Sequence, residues 1–122
     1  VMLMYAEASN EQNGPNQEAL TQLNTVRTRA GLPALTLAAL TKQTFRDEVD
    51  RQRRLELAFE GERWFDLLRY ARHTQADASV THRITALDII QQVRGTRDAN
   101  YLLFPIPQNE INNNALIQQN PG

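Results

Sequence analysis

Three features of the sequence predict an all-α fold. Apolar residues recur at helical spacing along most of the chain. Glycine and proline punctuate the ends of those periodic runs, as at Gly31, Pro33 and Gly95. A long stretch from Arg53 to Tyr70 mixes charged, aromatic and leucine residues with almost no neutral polar spacer. A surface helix confines its apolar residues to one stripe. Here Leu55, Leu57, Ala58, Phe59, Trp64, Phe65, Leu67 and Leu68 point in too many directions for that, so the segment is expected to pack on more than one side.

The elements follow in order. Val1 to about Asn10 reads as a helix with Leu3, Tyr5 and Ala6 facing inward. Asn13-Gly14-Pro15-Asn16 is a turn, since Asn and Gly tolerate positive φ. A second helix opens after Asn16 as N-cap and carries Leu20, Leu23, Val26 and Ala30 at helical spacing. Gly31 stops it and Pro33 bars its continuation. The length of this pair, with Gly14, Ala19 and Leu23, suits a tetratricopeptide-like unit over residues 1–33. No second copy is visible. One unit cannot bury its own face and about three are normally needed, so further copies are expected upstream of Val1.

Leu35, Leu37 and Leu40 form a connector expected to pack along the next helix. That helix starts at Thr41 or Thr44, where Thr44 and Asp47 resemble a capping box with Asp in place of Glu. It runs through Phe45 and Val49 and occupies residues 41–72 as one helix or two, bent or broken near Gly61. Asp47 with Arg51, and Asp50 with Arg54, add exposed four-spaced pairs. Arg72 to Arg83 is polar and reads as a loop. Ile84, Leu87, Ile90 and Val93 then suit a short helix ended by Gly95, followed by a turn to Asn100. Tyr101 to Pro107 is expected to be extended, because Pro105 and Pro107 constrain themselves and their predecessors. Pro107 can open a single helical turn through Ile111. Residues 84–122 are thus a short helix and an irregular, proline-bounded tail.

Buried charges need partners. Arg53 and Glu56, Glu60 and Arg63, and Asp66 and Arg69 each stand three apart, so these six residues are predicted to form a structural ion-pair network. Glu56, Glu60 and Asp66 also raise the possibility of a glycosidase carboxylate pair, but that chemistry needs two carboxyls flanking a cleft. With Arg53 and Arg63 beside them, the network is the better reading. His73 and His82 lie in a polar stretch without HxH or HExxH spacing and form no metal site. The sequence holds no Gly-rich phosphate loop, no GxSxG and no cysteine, so no catalytic residue and no cofactor is assigned. A net charge of −1 gives no footprint for nucleic acid or anionic membrane, and no apolar run is long enough to cross a bilayer.

Aromatic faces can stack on sugar rings while amides bond hydroxyls. Trp64 and Phe65 are assigned to the core. Tyr101, beside a turn, and the Asn112–Asn114 run, represented by Asn113, are the candidate ligand contacts. The Pro105-Ile106-Pro107 block is read as docking the tail, with nearby Asn and Gln side chains satisfying open backbone groups.

Three blocks carry a resemblance. RRLELAFEGERWFDLLRY, from Arg53 to Tyr70, resembles the (E)RR-x-EL-AFEG-x-R-[WFY]-x-DL-x-R signature of the SusD/RagB family. LFPIPQNEINNNALIQQNPG, from Leu103 to Gly122, is similar to that family's PIP-x-x-E-x-x-x-N…QNPG pattern. LMYAEASNE from Leu3, followed by ALTQLNTVRTRAGLP, resembles its last tetratricopeptide-like helix pair. The departures are Gln52, where an acidic residue often opens the signature, and the stop at Gly122 before a common aromatic.

The resemblance implies a non-catalytic outer-membrane lipoprotein that captures oligosaccharide at the cell surface for a TonB-dependent β-barrel transporter. It also implies a parent several times longer, with the lipid anchor and most of the glycan platform upstream. The chain begins at Val1 without a signal peptide or lipobox cysteine, so it is expected to be a C-terminal piece. Two alternatives stand beside this: a helical protein-interaction module without sugar contact, and a glycoside hydrolase fragment.

Overall fold

A computed structural model describes residues 1–121, and these are all-helical: six α-helices and two 3-10 turns, with no strand among the described residues. They form two units. The first comprises Val1–Arg63 with Thr81–Arg83, and the second comprises Trp64–Val80 with the chain from Ile84 onward.

The first unit is built on α1 (Met2–Asn13), α2 (Gln17–Arg29) and α3 (Lys42–Glu56). Gly14, at φ 74°, lets the chain reverse after α1. Asn16 then caps α2, its side-chain oxygen accepting from the Ala19 N–H at 2.9 Å. Beyond α2, the Asn24 amide exchanges two hydrogen bonds with the Leu35 backbone, at 2.9 and 2.8 Å. This brings Leu35, Leu37 and Leu40 down onto the core. That core is Leu3, Ala6, Ala19, Leu20, Leu23, Val26, Phe45 and Val49. Each helix contributes residues at three- and four-residue spacing, so burial follows one face of each.

Two local expectations are corrected. Tyr5, expected inward, is exposed on α1, and its hydroxyl bonds the Glu18 carboxylate, which raises the phenol's pKa. The buried positions of α1 are Leu3, Ala6 and Asn10. The capping box of α3 is formed by Thr41 and Thr44, not Thr44 and Asp47. Thr44 N–H donates to Thr41 Oγ1 at 3.1 Å and Thr41 N–H to Thr44 Oγ1 at 2.8 Å. A threonine hydroxyl at the third helical position serves as well as a carboxylate here, because both reach back to the cap's N–H.

α3 stops at Glu56, and Leu57–Glu62 forms an irregular turn with Phe59 and Gly61 at positive φ. The predicted break near Gly61 is therefore complete. Three large residues expected to be packed, Leu55, Phe59 and Phe65, are exposed.

The second unit holds α4 (Arg63–Ala76) from Trp64 onward, with α5 (Ala86–Arg94) and α6 (Gln108–Asn113). Helix α4 continues through Arg72–Ala76, which the sequence reading gave to a loop. Polar residues there fit a solvated face, and the buried positions Leu67, Leu68, Tyr70 and Ala71 carry the register. Thr85 and Asp88 cap α5 reciprocally, with the Thr85 N–H on Asp88 Oδ2 at 2.7 Å. Gly95 closes α5 in the left-handed conformation, φ 73° and ψ 10°. Residues Ala99–Leu102 form a 3-10 turn, so Tyr101 is not extended as expected; the Asp98 side chain caps that turn by accepting from Asn100 N–H at 2.9 Å. The core of this unit gathers Leu67, Leu68, Tyr70, Ala71, Ala86, Ile90 and Leu102.

The tail folds onto itself through amides. Gln119 accepts from Ile106 N–H at 2.8 Å and donates to Ile106 carbonyl at 3.0 Å, while Asn120 donates to the Phe104 carbonyl at 2.6 Å. Pro105 and Pro107 lack N–H groups, so Ile106 is the backbone position with both groups to satisfy.

Candidate functional site

The second unit contains a cavity of about 360 Å³. Its walls come from Trp64 in the first turn of α4, from Ile90 and Arg94 on α5, and from Tyr101, Phe104 and Asn120. The Thr85–Asp88 cap and Gly95 fix where α5 starts and stops, and so place Arg94 against the 3-10 turn. The Arg94 guanidinium lies over the Tyr101 ring, 4.6 Å from its centroid. That contact covers one face of the ring. Asn120 is held by its bond to Phe104, and Trp64 is half-buried, with an indole N–H that is buried and has no acceptor. The lining is chiefly apolar, with Arg94 and Asn120 as its polar members and no carboxylate. Chemically it can stack on and desolvate a ring.

Of the two predicted ligand contacts, Tyr101 lines this cavity. Asn113 does not: it is the exposed last residue of α6. Trp64, assigned to the core, packs against the core of this unit and also lines the cavity. The available signal was its position just after Gly61, where a helix restarting at Arg63 leaves its first turn at the edge of a core.

The six charged residues of the predicted network are arranged across helices as well as along them. Arg63 pairs with Asp50 of α3, and Glu56 pairs with Arg29 of α2. Arg53 is buried on α3, whereas Glu60 is exposed in the turn. Asp66 is buried and accepts from Arg69 Nη2 at 3.0 Å, and Arg69 lies 4.8 Å from the Tyr70 ring centroid. Two further pairs were not anticipated. Arg27 bonds Glu48 at 3.0 Å and the Pro33 carbonyl at 3.2 and 3.1 Å. Arg46 grips both oxygens of Glu11 at 2.7 Å. Those partners stand 21 and 35 residues apart, beyond any helical spacing rule. His73 lies in the last turn of α4 and His82 is in the Thr81–Arg83 stretch. Among the described residues no cluster of His, Cys, Asp or Glu suits a metal ion, and no helix is long and apolar enough to cross a membrane.

A model of the SusD family matches residues 1–122. The chain belongs to the SusD family. Two SusD-like proteins of Formosa agariphila, P2 and P25, are each 32% identical to it, over 100% and 96% of this chain. The match covers 24% and 21% of those relatives. Among solved structures, surface glycan-binding protein A from Bacteroides uniformis superposes on 98% of this chain with TM-score 0.74 and 33% identity. A SusD superfamily protein from Parabacteroides distasonis superposes on 99% with TM-score 0.76 and 32% identity. In both, 25% of the other chain is covered. This SusD-family chain therefore spans about a quarter of the length of the relatives it matches. Its all-helical architecture is theirs over that quarter.

Proposed function

We propose that this chain is part of a cell-surface protein that captures oligosaccharides and passes them, chemically unchanged, to a TonB-dependent β-barrel in the outer membrane. The observation that carries the reading is the agreement, along nearly the whole chain, with a protein named for binding surface glycan. The cavity in the second unit, chiefly apolar and lined by Trp64 and Tyr101, suits a surface that stacks on sugar rings. Tyr101 brings an aromatic ring to the cavity wall, and Asn113 offers an exposed amide for a hydroxyl. The reading assigns the membrane attachment, the greater part of the sugar platform and the docking surface for the barrel to regions outside the quarter of the relatives' length that this chain matches.

The screen is native gel electrophoresis of the full-length gene product through gels cast with individual polysaccharides. Retarded migration in at least one glycan, with unchanged polymer after incubation, supports capture. Unretarded migration in every glycan, together with co-purification of a barrel protein, favours the interaction-module reading.

A further inference from the structure

Arg94, in the last turn of α5, is the one charged residue lining the second unit's cavity among the described residues. Its guanidinium leans on the Tyr101 ring, but its N–H groups make no hydrogen bond or ion pair among the described residues. Two other arginines of this unit are differently placed: Asp66 holds Arg69, and Asp88 holds Arg97. The end of α5 offsets part of the Arg94 charge, since a helix C-terminus carries only about half a unit of negative charge. The remainder gives the cavity a positive sign.

The rest of the lining suits a ring. Trp64, Tyr101 and Phe104 put aromatic surface around a space of about 360 Å³, and Phe104 is 64% exposed. The Asn120 amide donates to the Phe104 carbonyl, and its oxygen accepts no bond among the described residues, so it can take the proton of a hydroxyl. A neutral ring laid here strips water from the guanidinium and returns no charge to it. A ring carrying an oxyanion replaces that water with a forked, charge-assisted pair.

We infer, resting on the capture reading above, that this cavity takes a sugar ring bearing an oxyanion set on Arg94, so that the protein selects acidic over neutral oligosaccharides. The oxyanion is the carboxylate of a uronic acid or a sulfate ester. Both present two oxygens to the guanidinium fork, and both stay ionised at neutral pH.

The test is the affinity of the full-length gene product for three oligosaccharides of equal length and linkage: one neutral, one with uronic acid units, one O-sulfated. At least one acidic member should bind about tenfold tighter than the neutral one, the scale of one charge-assisted bond, and the tighter of the two identifies the oxyanion. Arg94→Met keeps an unbranched side chain beside Tyr101 and should bring that ratio close to one. Should this variant fail to fold, salt decides with the wild type: the ratio should shrink several-fold between about 0.05 M and 0.5 M, as charge pairing at an open site does. Equal affinity for neutral and acidic sugars overturns the inference and leaves capture standing. So does a preference that neither Arg94→Met nor salt reduces, since the selection then lies elsewhere. No binding of any sugar overturns capture, and this inference with it.

Discussion

Arg46 is the residue on which the first unit most depends electrostatically. It is 6% exposed, holds both oxygens of Glu11, and donates further to Gln43 and to the Thr81 carbonyl. The bonds it donates to Glu11 hold the guanidinium protonated more firmly than usual, against the opposing effect of burial. Arg46→Ala strands a carboxylate and should cost about 3 kcal/mol in urea unfolding. Glu11→Leu with Arg46→Met removes both charges and should recover most of that loss, because the pair pays desolvation on both sides. Glu60→Ala, by contrast, should change this chain's own stability by less than about 0.5 kcal/mol, as exposed positions do. Asp88 provides a pH handle. Burial pushes its carboxyl upward, but bonds from Thr85 and Arg97 together outweigh that and leave the pKa below the ordinary value. A depressed carboxylate stabilises above its unfolded pKa, about 3.9, and that stability drains away as pH falls through the lower folded value. Thermal melts from about pH 6 to pH 2 should therefore show a shallower acid decline for Asp88→Asn than for the wild type. Such partners were only partly readable beforehand. Asp66 and Arg69 meet at helical spacing, but Arg63 reaches Asp50 thirteen residues back, and Arg27, Arg29 and Arg46 all cross between helices. Spacing rules see one helix at a time, so charges that bridge helices fall outside them.

At the scale of elements, termini carry the information. Asn16, Gly31, Gly95 and Pro107 each mark a boundary by a local backbone requirement, and such requirements are written in single residues. Thr41→Ala removes the α3 cap and should lower stability by about 1 kcal/mol, with helix content falling first at Lys42–Phe45 in hydrogen exchange. Gly95→Ala forces a Cβ into left-handed backbone at the end of α5, although nothing crowds the site. The cost should be about 1 kcal/mol, read as a lower urea midpoint at unchanged m-value. The continuation of α4 through Arg72–Ala76 was hidden for a physical reason. A polar stretch reads alike as loop or as solvated last turns, and only tertiary packing of Leu68 and Ala71 separates the two. Trp64 packs against the core as its apolar neighbours imply, and as a first-turn residue it also faces a cavity.

For the molecule as a whole, each of the two units has a core of its own and a hollow at its surface. The all-helical fold and the family were legible because the Arg53–Tyr70 and Leu103–Gly122 blocks carry them in short, dense patterns. The proposed sugar contacts were less so. Tyr101 and Asn113 are separated, one in a cavity wall and one at the end of α6, and no spacing rule joins them. Tyr101→Ala in the full-length product should weaken oligosaccharide binding about tenfold, the scale of one lost aromatic contact, without altering the melting temperature as much as Arg46→Ala does. The decisive measurement is isothermal titration of the full-length gene product with a panel of oligosaccharides, each titrated sample then assayed for reducing ends. Saturable heat with at least one sugar and no new reducing ends is the result required by capture. Flat titrations across the panel, or sugars cleaved in the cell, contradict it.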